Sequence, residues 1–428
     1  MARESDQSFF FLATRSWFWL LCVDVYPALI AASLPWSTTA VVVFVIIWFI
    51  VLAPTIEPRS FLSSLRRPVS LLPTALFALA VIGMLWADGP WAERLHGLSP
   101  VAKLVAIPFL LYHFHRSRRG HWVFIAFLAS CALLLVLSWI IFLVPQWQVS
   151  GSHGFYSAGV PVRNVIDQNQ EFVLCAFALA SLSISFAKKQ RAALAVSALA
   201  LALMFVLNTM FVALSRTSLV YVLALIILFA SRHFGRRGTL LLLAGTVLMS
   251  GFVWFASPHL RDRIERVAIE YKEYRETNRP TSTGQRISYW TKSLEWIGEA
   301  PLIGHGTDST KRLFAAEAAG KVGAWADSIS NPHNQTLYVA IQWGLLGCLF
   351  LFAMWFAHYA MFTSTGLIAW IGAVVVTQNI ISSLLNSHLF DFHEGWIYVL
   401  GVGVAGGMLR NEGRFQQSSP EAGPRSNL

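Results

Sequence analysis

Three side chains in the second half of the chain have the chemistry to bind an anion and to accept a proton: Arg216, Arg286 and His333. A guanidinium group is planar and always charged, and it binds phosphate through two parallel N–H groups. An imidazole takes up a proton near neutral pH and can act as a general base. Together these residue types predict chemistry at a membrane surface, with phosphate bound by the arginines and a proton accepted by the imidazole.

The neighbours of His333 predict where its ring lies. Pro332 restricts Asn331 to an extended backbone, and an apolar run begins at Thr336. His333 is thereby predicted at or just before a helix N-terminus, where the helix dipole disfavours imidazolium and helps to keep the ring neutral. Taken alone, it could also be a plain histidine at the membrane interface. Asn334 is a candidate supporting residue.

Arg216 lies in a very short connection between two apolar runs, Leu214-Ser215-Arg216-Thr217-Ser218. The orientation of the chain gives no reason for a cation on this side of the membrane. One interpretation is an arginine whose side chain reaches the lipid headgroups. The other is a phosphate-binding group, because the flanking hydroxyls supply further hydrogen-bond donors.

Arg286 follows a turn rich in Pro, Thr, Ser and Gly, and it is predicted in the first turn of a helix capped by Ser282 or Thr283. A cation there opposes the helix dipole, so a generic surface role is slightly unfavourable. An anion shared by Arg286 and the free backbone N–H groups would reverse that sign. Tyr289, on the same helix, is a candidate supporting residue.

A second polar turn, residues 386–394, is predicted to reach the same side of the membrane. It contains four potential metal ligands, His388, Asp391, His393 and Glu394. Their spacing matches no closed structural metal site, so we predict no bound metal. Asp391 is more simply a partner for an arginine, or the group that orients the imidazole or a substrate hydroxyl.

The composition predicts an integral membrane protein. Of 428 residues, 56% are hydrophobic and only 13% are charged, whereas about a quarter of the residues in a soluble protein are charged. Apolar runs near the length that a bilayer requires predict an all-α fold with about 12 transmembrane helices. The predicted spans are residues 16–34, 38–54, 69–87, 100–114, 122–144, 169–187, 193–214, 217–231, 238–256, 335–361, 365–385 and 395–409.

Basic residues predict the orientation of these helices, because cytoplasmic loops carry an excess of Lys and Arg. They occupy every second connection: Arg59, Arg66, Arg67, Arg116, Arg118, Arg119, Lys188, Lys189, Arg191, Arg232, Arg236, Arg237, Arg410 and Arg414. Both termini are therefore predicted in the cytoplasm. The net charge of +10 reflects this asymmetry, and it indicates contact with anionic membrane lipids and no nucleic acid partner.

Four parts follow from this topology. Residues 1–256 are predicted to carry nine helices, 257–334 a large outer loop with the candidate residues, 335–410 three further helices, and 411–428 a disordered cytoplasmic tail. Within the outer loop, residues 260–277 are predicted to form an amphipathic surface helix without a chemical role.

A tight turn is predicted at residues 301–306, Pro-Leu-Ile-Gly-His-Gly. Its glycines most simply permit unusual backbone angles, although they could also cradle a phosphate. His305 is more simply a turn residue than a catalyst.

Five short segments resemble the O-antigen ligase and polymerase superfamily of bacterial envelope glycosyltransferases. They are Ser215-Arg216-Thr217, Gly284-Gln285-Arg286-Ile287-Ser288-Tyr289-Trp290, Ala300-Pro301-Leu302-Ile303-Gly304-His305-Gly306, Pro332-His333-Asn334 and Gly344-Leu345-Leu346-Gly347. The resemblance implies that Arg216 and Arg286 are the essential arginines of the family and His333 its essential histidine. It extends to Asp391 with a looser match of the flanking residues.

A chain of this size with one large, late periplasmic loop is most similar to the ligases of this superfamily. The resemblance implies a C-type glycosyltransferase fold in the Gram-negative inner membrane, with the active site facing the periplasm. It implies transfer of O-antigen polysaccharide from undecaprenyl diphosphate to a sugar of lipid A-core, without a nucleotide sugar, metal or other cofactor. A single displacement with His333 as base would invert the anomeric configuration.

Other functions remain open at this point. An O-antigen polymerase would use a second lipid-linked glycan as acceptor, and a protein O-oligosaccharyltransferase would use a serine or threonine. From a different class, a flippase or transporter of lipid-linked oligosaccharides would need polar groups deep in the bilayer. The charged residues Asp24, Lys103 and Glu171 lie near the ends of the predicted spans, which favours chemistry at the membrane boundary.

Overall fold

The structure, a computed structural model, describes residues 16–147, 159–213, 215–256 and 258–418. These residues form helices and connections with no β-strand. In chain order the helices are α1 (Trp17–Ser33), α2 (Thr38–Leu52), α3 (Pro58–Leu65), α4 (Pro68–Gly83), α5 (Trp91–His96), α6 (Ser99–Ala102), α7 (Ala106–Phe114), α8 (His121–Leu143), α9 (Val165–Lys188), α10 (Ala192–Leu207), α11 (Arg216–His233), α12 (Arg236–Ala256), α13 (Pro258–Thr277), α14 (Ser282–Glu299), α15 (Ser309–Ala318), α16 (Gln335–Met361), α17 (Leu367–Ser382) and α18 (Phe392–Ser418).

The expectation of an all-α membrane protein is confirmed. Among the described residues, 7 helices are long and apolar enough to cross a membrane, or up to 8 if α3 and α4, which meet at a bend of 85°, form one span. A helix lies at each of the predicted spans, but some are short, such as α1 and α17. The number of crossings and the C-type glycosyltransferase architecture therefore stay predictions.

Polar N-caps begin the helices that carry the candidate residues. Side-chain oxygens of Asn164, Ser215, Thr281 and Asn334 accept backbone N–H groups in the first turns of α9, α11, α14 and α16. Such caps satisfy donors that a helix leaves unpaired at its start. The polar residues between apolar runs thus fix where each helix begins.

Connections that the sequence places on one side of the membrane do meet at one end of the helices. Arg312 lies 3.4 Å from Asp88, and the backbone N–H of Thr307 donates to the carbonyl of Gly83 at 3.2 Å. The basic connections form a separate contact, in which Arg410 of α18 donates to the hydroxyl of Ser64 in α3 at 3.4 Å. Which end faces the periplasm stays a prediction.

The helix after His333, α16, is broken in its N-terminal half, at Trp343 and Gly344. Trp343 and Gly344 have non-helical backbone angles, with φ of 59° and ψ of −154° at Gly344. The turn at residues 301–306 inserts there, donating two N–H groups to one side of the break and accepting two from the other. The four bonds are His305 to Ile341 (2.8 Å), Gly306 to Gln342 (2.9 Å), Leu345 to Pro301 (2.8 Å) and Leu346 to Leu302 (3.2 Å).

This insertion explains two of the glycine-containing segments together. A Cβ on Gly304 would lie 2.5 Å from the carbonyl carbon of Gln342, and one on Gly344 would lie 2.4 Å from that of Leu302. The glycines therefore permit close backbone approach. The positive φ of Gly304 and Gly306, 64° and 88°, confirms the unusual backbone angles that their simpler interpretation predicted. The ring of His305 donates through Nε2 to the carbonyl of Trp296 at 2.8 Å, so this histidine fastens the turn to α14.

The predicted disordered tail begins too early at residue 411. Helix α18 continues through Ser418, because no proline interrupts the hydrogen-bond ladder before Pro420. The remaining residues of that prediction, 419–428, lie outside the described residues.

Replacing Gly344 by alanine should destabilise the protein. The added Cβ would strain a backbone conformation that is essentially restricted to glycine, at a cost of roughly 1–3 kcal/mol, and it would collide with Leu302. The thermal unfolding midpoint of the purified protein in detergent measures the effect. Gly298→Ala is the matched control, because this helical glycine has no neighbouring atom within 4 Å of a Cβ. Equal midpoints for the two variants would contradict the structural role of the break.

Candidate active site

His333 lies immediately before the N-cap of α16, as predicted. Its backbone adopts a left-handed conformation with φ of 53°, and its N–H donates to Oδ1 of Asn331 at 2.8 Å. Asn334 caps the helix by accepting the N–H of Leu337 at 3.1 Å. The side chain of Asn334 thus holds the start of the helix, and a supporting role in the chemistry stays a prediction.

Three bonds from other elements hold this connection in place. The indole N–H of Trp290 in α14 donates to the carbonyl of Pro332 at 3.1 Å. On the other side, Asn331 Nδ2 donates to Oδ1 of Asp391 at 3.3 Å and Asn334 Nδ2 to the carbonyl of Leu384 at 3.0 Å. The backbone around His333 is thus fixed between α14 and the turn before α18.

The tautomer of the His333 ring follows from its neighbour. Its Nδ1 lies 3.2 Å from Oδ1 of Asn386, an oxygen that can only accept, so Nδ1 carries the proton and Nε2 keeps a lone pair. Burial of the ring lowers the pKa of His333, and the positive charge of Arg286 lowers it further. Both effects favour the neutral imidazole, the direction that the position before a helix N-terminus also predicts.

Tyr289 supports this ring by stacking. The two ring centroids are 6.2 Å apart with an interplanar angle of 28°. The phenol donates to the carboxylate of Asp327, which also accepts from Gln285 Nε2 at 2.8 Å. Burial and this hydrogen bond to Asp327 raise the pKa of Tyr289, so its hydroxyl stays protonated. Tyr289 thereby links the loop of Asp327 to the candidate base.

Arg216 is engaged by a carboxylate that sequence analysis did not consider. Its Nη1 and Nη2 donate to the two oxygens of Glu270 at 2.9 and 2.7 Å, and Nη1 also reaches the hydroxyl of Thr283 at 3.2 Å. Glu270 belongs to α13, the amphipathic helix for which no chemical role was predicted, and that prediction did not include this ion pair. Charged residues of an amphipathic helix give no signal for a partner 54 positions away.

The Glu270 carboxylate also occupies the N-terminus of α14. It accepts the backbone N–H of Thr283 at 3.0 Å and the hydroxyl of the same residue. The hydrogen bonds from Arg216 outweigh partial burial and lower the pKa of Glu270 to about 2. An anion site made of a guanidinium fork, a hydroxyl and a helix N-terminus therefore exists here, and in this structure an ionised side chain fills it.

The start of α14 differs from the prediction by one residue. Thr281, not Ser282 or Thr283, is the N-cap, and its hydroxyl oxygen accepts the N–H of Gly284 at 3.1 Å. The hydroxyl of Thr283 is instead used by Glu270, which a local pattern does not reveal. Arg286 consequently lies in the second turn, so its own N–H is not one of the free donors.

Arg286 contrasts with Arg216, since no described carboxylate lies within ion-pair distance of it and it donates no hydrogen bond to a described residue. Burial lowers the pKa of Arg286 first, and repulsion from Arg216 lowers it further. Both the arginine at Glu270 and the imidazole of His333 lie within electrostatic range of it. Arg286 is therefore a partly buried cation available to an anionic ligand between these two groups.

His333 and Asp391 line one cavity of about 520 Å³. Its described wall comes from the start of α9, the connection before α16, the turn before α18 and the first turn of α18. The lining residues are Val162, Arg163, Asn164, Ile166, Asp167, Asn331, His333, Asn386, His388, Asp391, Phe392, His393 and Glu394. Neither Arg216 nor Arg286 is among these described lining residues. His333 therefore lines the cavity and also lies within electrostatic range of Arg286.

Asp391 is half-buried, and burial raises its pKa to about 7 although Lys103 opposes the shift. The ammonium of Lys103 donates to the carbonyls of Phe390 and Asp391 at 2.8 and 2.6 Å. It thus fixes the backbone of the turn, while the Asp391 side chain accepts from Asn331. Asp391 forms no ion pair with an arginine among the described residues, and such a pair was one of the roles considered for it.

The remaining potential metal ligands have protein partners. His388 Nδ1 lies 3.0 Å from Gln170 Nε2, and His393 Nδ1 lies 3.1 Å from Asp167. Within the described ranges, no group of three or more His, Cys, Asp or Glu side chains has an arrangement that could hold a metal ion.

Sequence analysis missed the polar start of α9 as part of the site. Residues 167–171, Asp-Gln-Asn-Gln-Glu, are all buried. Gln168 donates to Asn208 at 3.1 Å, Gln170 contacts His388, and Asp167 contacts His393. Five consecutive polar residues at the start of an apolar helix were the available signal, because such residues are seldom buried without partners.

Comparison with known proteins shows similarity over the part of the chain that carries the two arginines and His333. Residues 199–352 match the family model described as O-antigen ligase, a segment that contains Arg216, Arg286 and His333 but ends before Asp391. A stretch of 130 residues is 28% identical to an uncharacterised protein of Haemophilus influenzae and covers 29% of this chain. The alignment spans 33% of that relative, so this chain covers about a third of the protein that it matches.

The family match covers both arginines, the candidate base and the break at Gly344 into which the turn inserts. In this all-helical membrane protein, backbone hydrogen bonds join the turn at residues 301–306 to the break in α16. Residues 199–352 of this chain, which hold these parts, are therefore similar to the O-antigen ligase family.

Proposed function

We propose that this protein is an O-antigen ligase, which transfers O-antigen polysaccharide from undecaprenyl diphosphate to a sugar hydroxyl of lipid A-core at the periplasmic face of the Gram-negative inner membrane. The observation that carries this proposal is a neutral, partly buried imidazole within electrostatic range of a guanidinium that has no carboxylate partner among the described residues. A base and an anion-binding group are the two elements that this reaction requires.

Arg286 would bind the diphosphate of the donor. Its charge is partly desolvated, so it gains more from a phosphate than an exposed arginine would. Arg216 would join it by exchanging the Glu270 carboxylate for a phosphate oxygen, since both anions fit the same fork. Two guanidinium groups would then stabilise the charge of the leaving group, which makes a metal ion unnecessary for that purpose.

Proton transfer would be the task of His333. An acceptor hydroxyl oxygen forms a bond to the anomeric carbon of the donor sugar as the bond from that carbon to the diphosphate oxygen breaks. The electron pair leaves with undecaprenyl diphosphate, and the hydroxyl proton moves to Nε2 of His333, whose lone pair is left free by the Nδ1 contact with Asn386. This single displacement inverts the anomeric configuration.

Incubation of the purified protein with undecaprenyl-linked glycan and lipid A-core, in the presence of excess chelator, tests the proposal. A conjugate of higher mass is expected without nucleotide or added metal, and His333→Ala should form none while remaining folded. Product only with a second lipid-linked glycan would identify a polymerase, and product only with a pilin-like protein would identify a protein O-oligosaccharyltransferase. Activity restored after chelation only by a divalent ion would contradict metal independence.

The pH dependence of transfer should reflect the lowered pKa of His333. A general base acts when neutral, so activity should persist as the pH falls below 6.5, the ordinary value, and decline only at the lower pKa. Arg286→Gln removes a positive charge and should move the decline to higher pH. Asp391 has a pKa of about 7, so its titration also falls near this pH range. The pH profile is therefore measured in Asp391→Asn as well, and a decline that comes from His333 must remain in that variant. A decline above pH 6.5 in that variant would contradict the assignment.

Glu270→Gln tests whether Glu270 holds the place of a donor phosphate. If the carboxylate competes with the diphosphate for Arg216, its neutralisation should lower the donor KM, by roughly tenfold for the loss of a charged hydrogen-bonded competitor. Glu273→Gln is the matched control, since Glu273 is on the same helix but pairs at 3.8 Å with the exposed Arg279. A raised donor KM in Glu270→Gln would mean that Glu270 orients Arg216 and is not displaced.

A further inference from the structure

A second cavity, of about 790 Å³, lies at the far end of the helices from His333. Helix α18 connects the two ends. It begins at Phe392, which lines the cavity beside His333, and its Asn411 donates through Nδ2 to the carbonyl of Ser117, a lining residue of the second cavity, at 3.0 Å. At about 1.5 Å per residue, this stretch is roughly 28 Å long, close to the thickness of the hydrocarbon core of a bilayer. The second cavity therefore lies at the membrane face opposite the candidate active site.

Positive charge exceeds negative charge in the wall of this cavity. The wall comes from the first half of α1, the connection at residues 54–58, and the end of α7 with the loop after it, residues 112–119. Its described lining residues include three arginines, Arg116, Arg118 and Arg119, and two carboxylates, Asp24 and Glu57. Arginines thus outnumber carboxylates by one.

One of the two carboxylates is already used by the protein. Asp24 accepts from Nη1 of Arg119 at 3.0 Å, and its other oxygen lies 2.8 Å from Nε2 of His113. Glu57 is a weaker partner, since its oxygen lies 3.9 Å from Nη2 of Arg116 and its side chain is 70% exposed. An exposed pair at that distance contributes little. Arg116 therefore keeps most of its charge for a ligand.

The guanidinium of Arg116 is held in place by protein contacts. Its Cζ lies 3.8 Å from the centroid of the Tyr112 ring, and its Nη2 donates to the hydroxyl of Ser60 at 2.6 Å. The phenol oxygen of Tyr112 accepts the backbone N–H of Glu57 at 2.8 Å, which ties the stacked ring to the connection before α3. A guanidinium stacked on an aromatic face presents its planar edge to phosphate.

We propose that this cavity binds the phosphate diester headgroup of one anionic phospholipid from the adjacent leaflet. Arg116 binds the phosphate oxygens, and Arg118 adds attraction from the same loop. A lipid with one net negative charge balances the excess of one positive charge, whereas a zwitterionic lipid leaves it unbalanced. Basic cavities between membrane helices are typical sites for such headgroups. This inference goes beyond the proposed function and does not depend on it.

The surroundings of the cavity favour a lipid over a soluble phosphate. Leu20 lines the cavity and is 41% exposed, and Trp17 and Phe18 precede it on α1, each 67% exposed. Exposed aromatic side chains at a helix end are typical of the boundary between membrane and water. An acyl chain can therefore lie against α1 while the phosphate of the same lipid reaches Arg116.

Helix α3 indicates the same depth. It begins at Pro58, a lining residue, and its Ser60 accepts from Arg116. It meets α4 at an angle of 85°, so it lies along the membrane plane when α4 crosses the membrane. Its exposed side chains include Arg59 and Leu62, a combination that is typical of interfacial helices. The phosphate site therefore lies at the level of the lipid headgroups.

Native mass spectrometry of the full-length protein tests the proposal without a substitution. The delipidated protein is offered equal amounts of phosphatidylglycerol and phosphatidylcholine with the same acyl chains. One phosphatidylglycerol should stay bound at collision energies that remove phosphatidylcholine, and excess inorganic phosphate should not displace it. Equal retention of the two lipids would overturn the charge selectivity, and displacement by inorganic phosphate would overturn the assignment to a lipid.

Two variants of Arg116 then locate the site. Arg116→Gln should weaken phosphatidylglycerol binding by roughly tenfold, for the loss of charged hydrogen bonds. Arg116→Lys should be intermediate, because an ammonium keeps the charge but loses the stacked planar fork. Arg59→Gln is the matched control, since Arg59 is exposed on α3 and is not among the described lining residues. An equal loss in Arg59→Gln, or unchanged binding in Arg116→Gln, would overturn the single site.

The thermal unfolding midpoint gives an independent measure. A ligand that binds only the folded protein raises this midpoint. Phosphatidylglycerol should therefore raise the midpoint of the unmodified protein more than phosphatidylcholine does. This difference should disappear in Arg116→Gln and persist in Arg59→Gln. A difference that persists in Arg116→Gln would overturn the assignment of the lipid to this cavity.

Discussion

The unneutralised charge of Arg286 beside a neutral imidazole is the interaction on which the site depends. Arg286 lowers the pKa of His333 in addition to burial, so the group that would bind the donor also keeps the base in its active form. The arrangement is stable because Asn386 accepts from Nδ1 and Tyr289 stacks on the ring. Binding of an anion would reduce this repulsion and make the imidazole more basic as the donor arrives.

Arg216 meets a different constraint. A second partly buried guanidinium near Arg286 would be repelled by it, and Glu270 removes that cost in this structure with two hydrogen bonds and an opposite charge. The same carboxylate satisfies the N-terminus of α14. The amphipathic helix α13 therefore has an electrostatic role in the site, and the break in α16 fixes α14 relative to His333 through the inserted turn.

Much of the fold was predictable because it follows local rules. Apolar run length gave the helices, and Pro332 with the following run gave the position of His333 before α16. What local patterns cannot give is pairing over long distances, such as Arg216 with Glu270, or Gln170 with His388 across 218 positions. The N-cap of α14 was misplaced for the same reason, since the hydroxyl of Thr283 serves Glu270.

A structure of the protein with undecaprenyl diphosphate bound is the most direct test of the central claim. The phosphates should lie within hydrogen-bond distance of both Arg216 and Arg286, with the Glu270 carboxylate displaced from the guanidinium that it now holds at 2.7 Å. A diphosphate bound away from Arg286, with the bond between Arg216 and Glu270 intact, would contradict it.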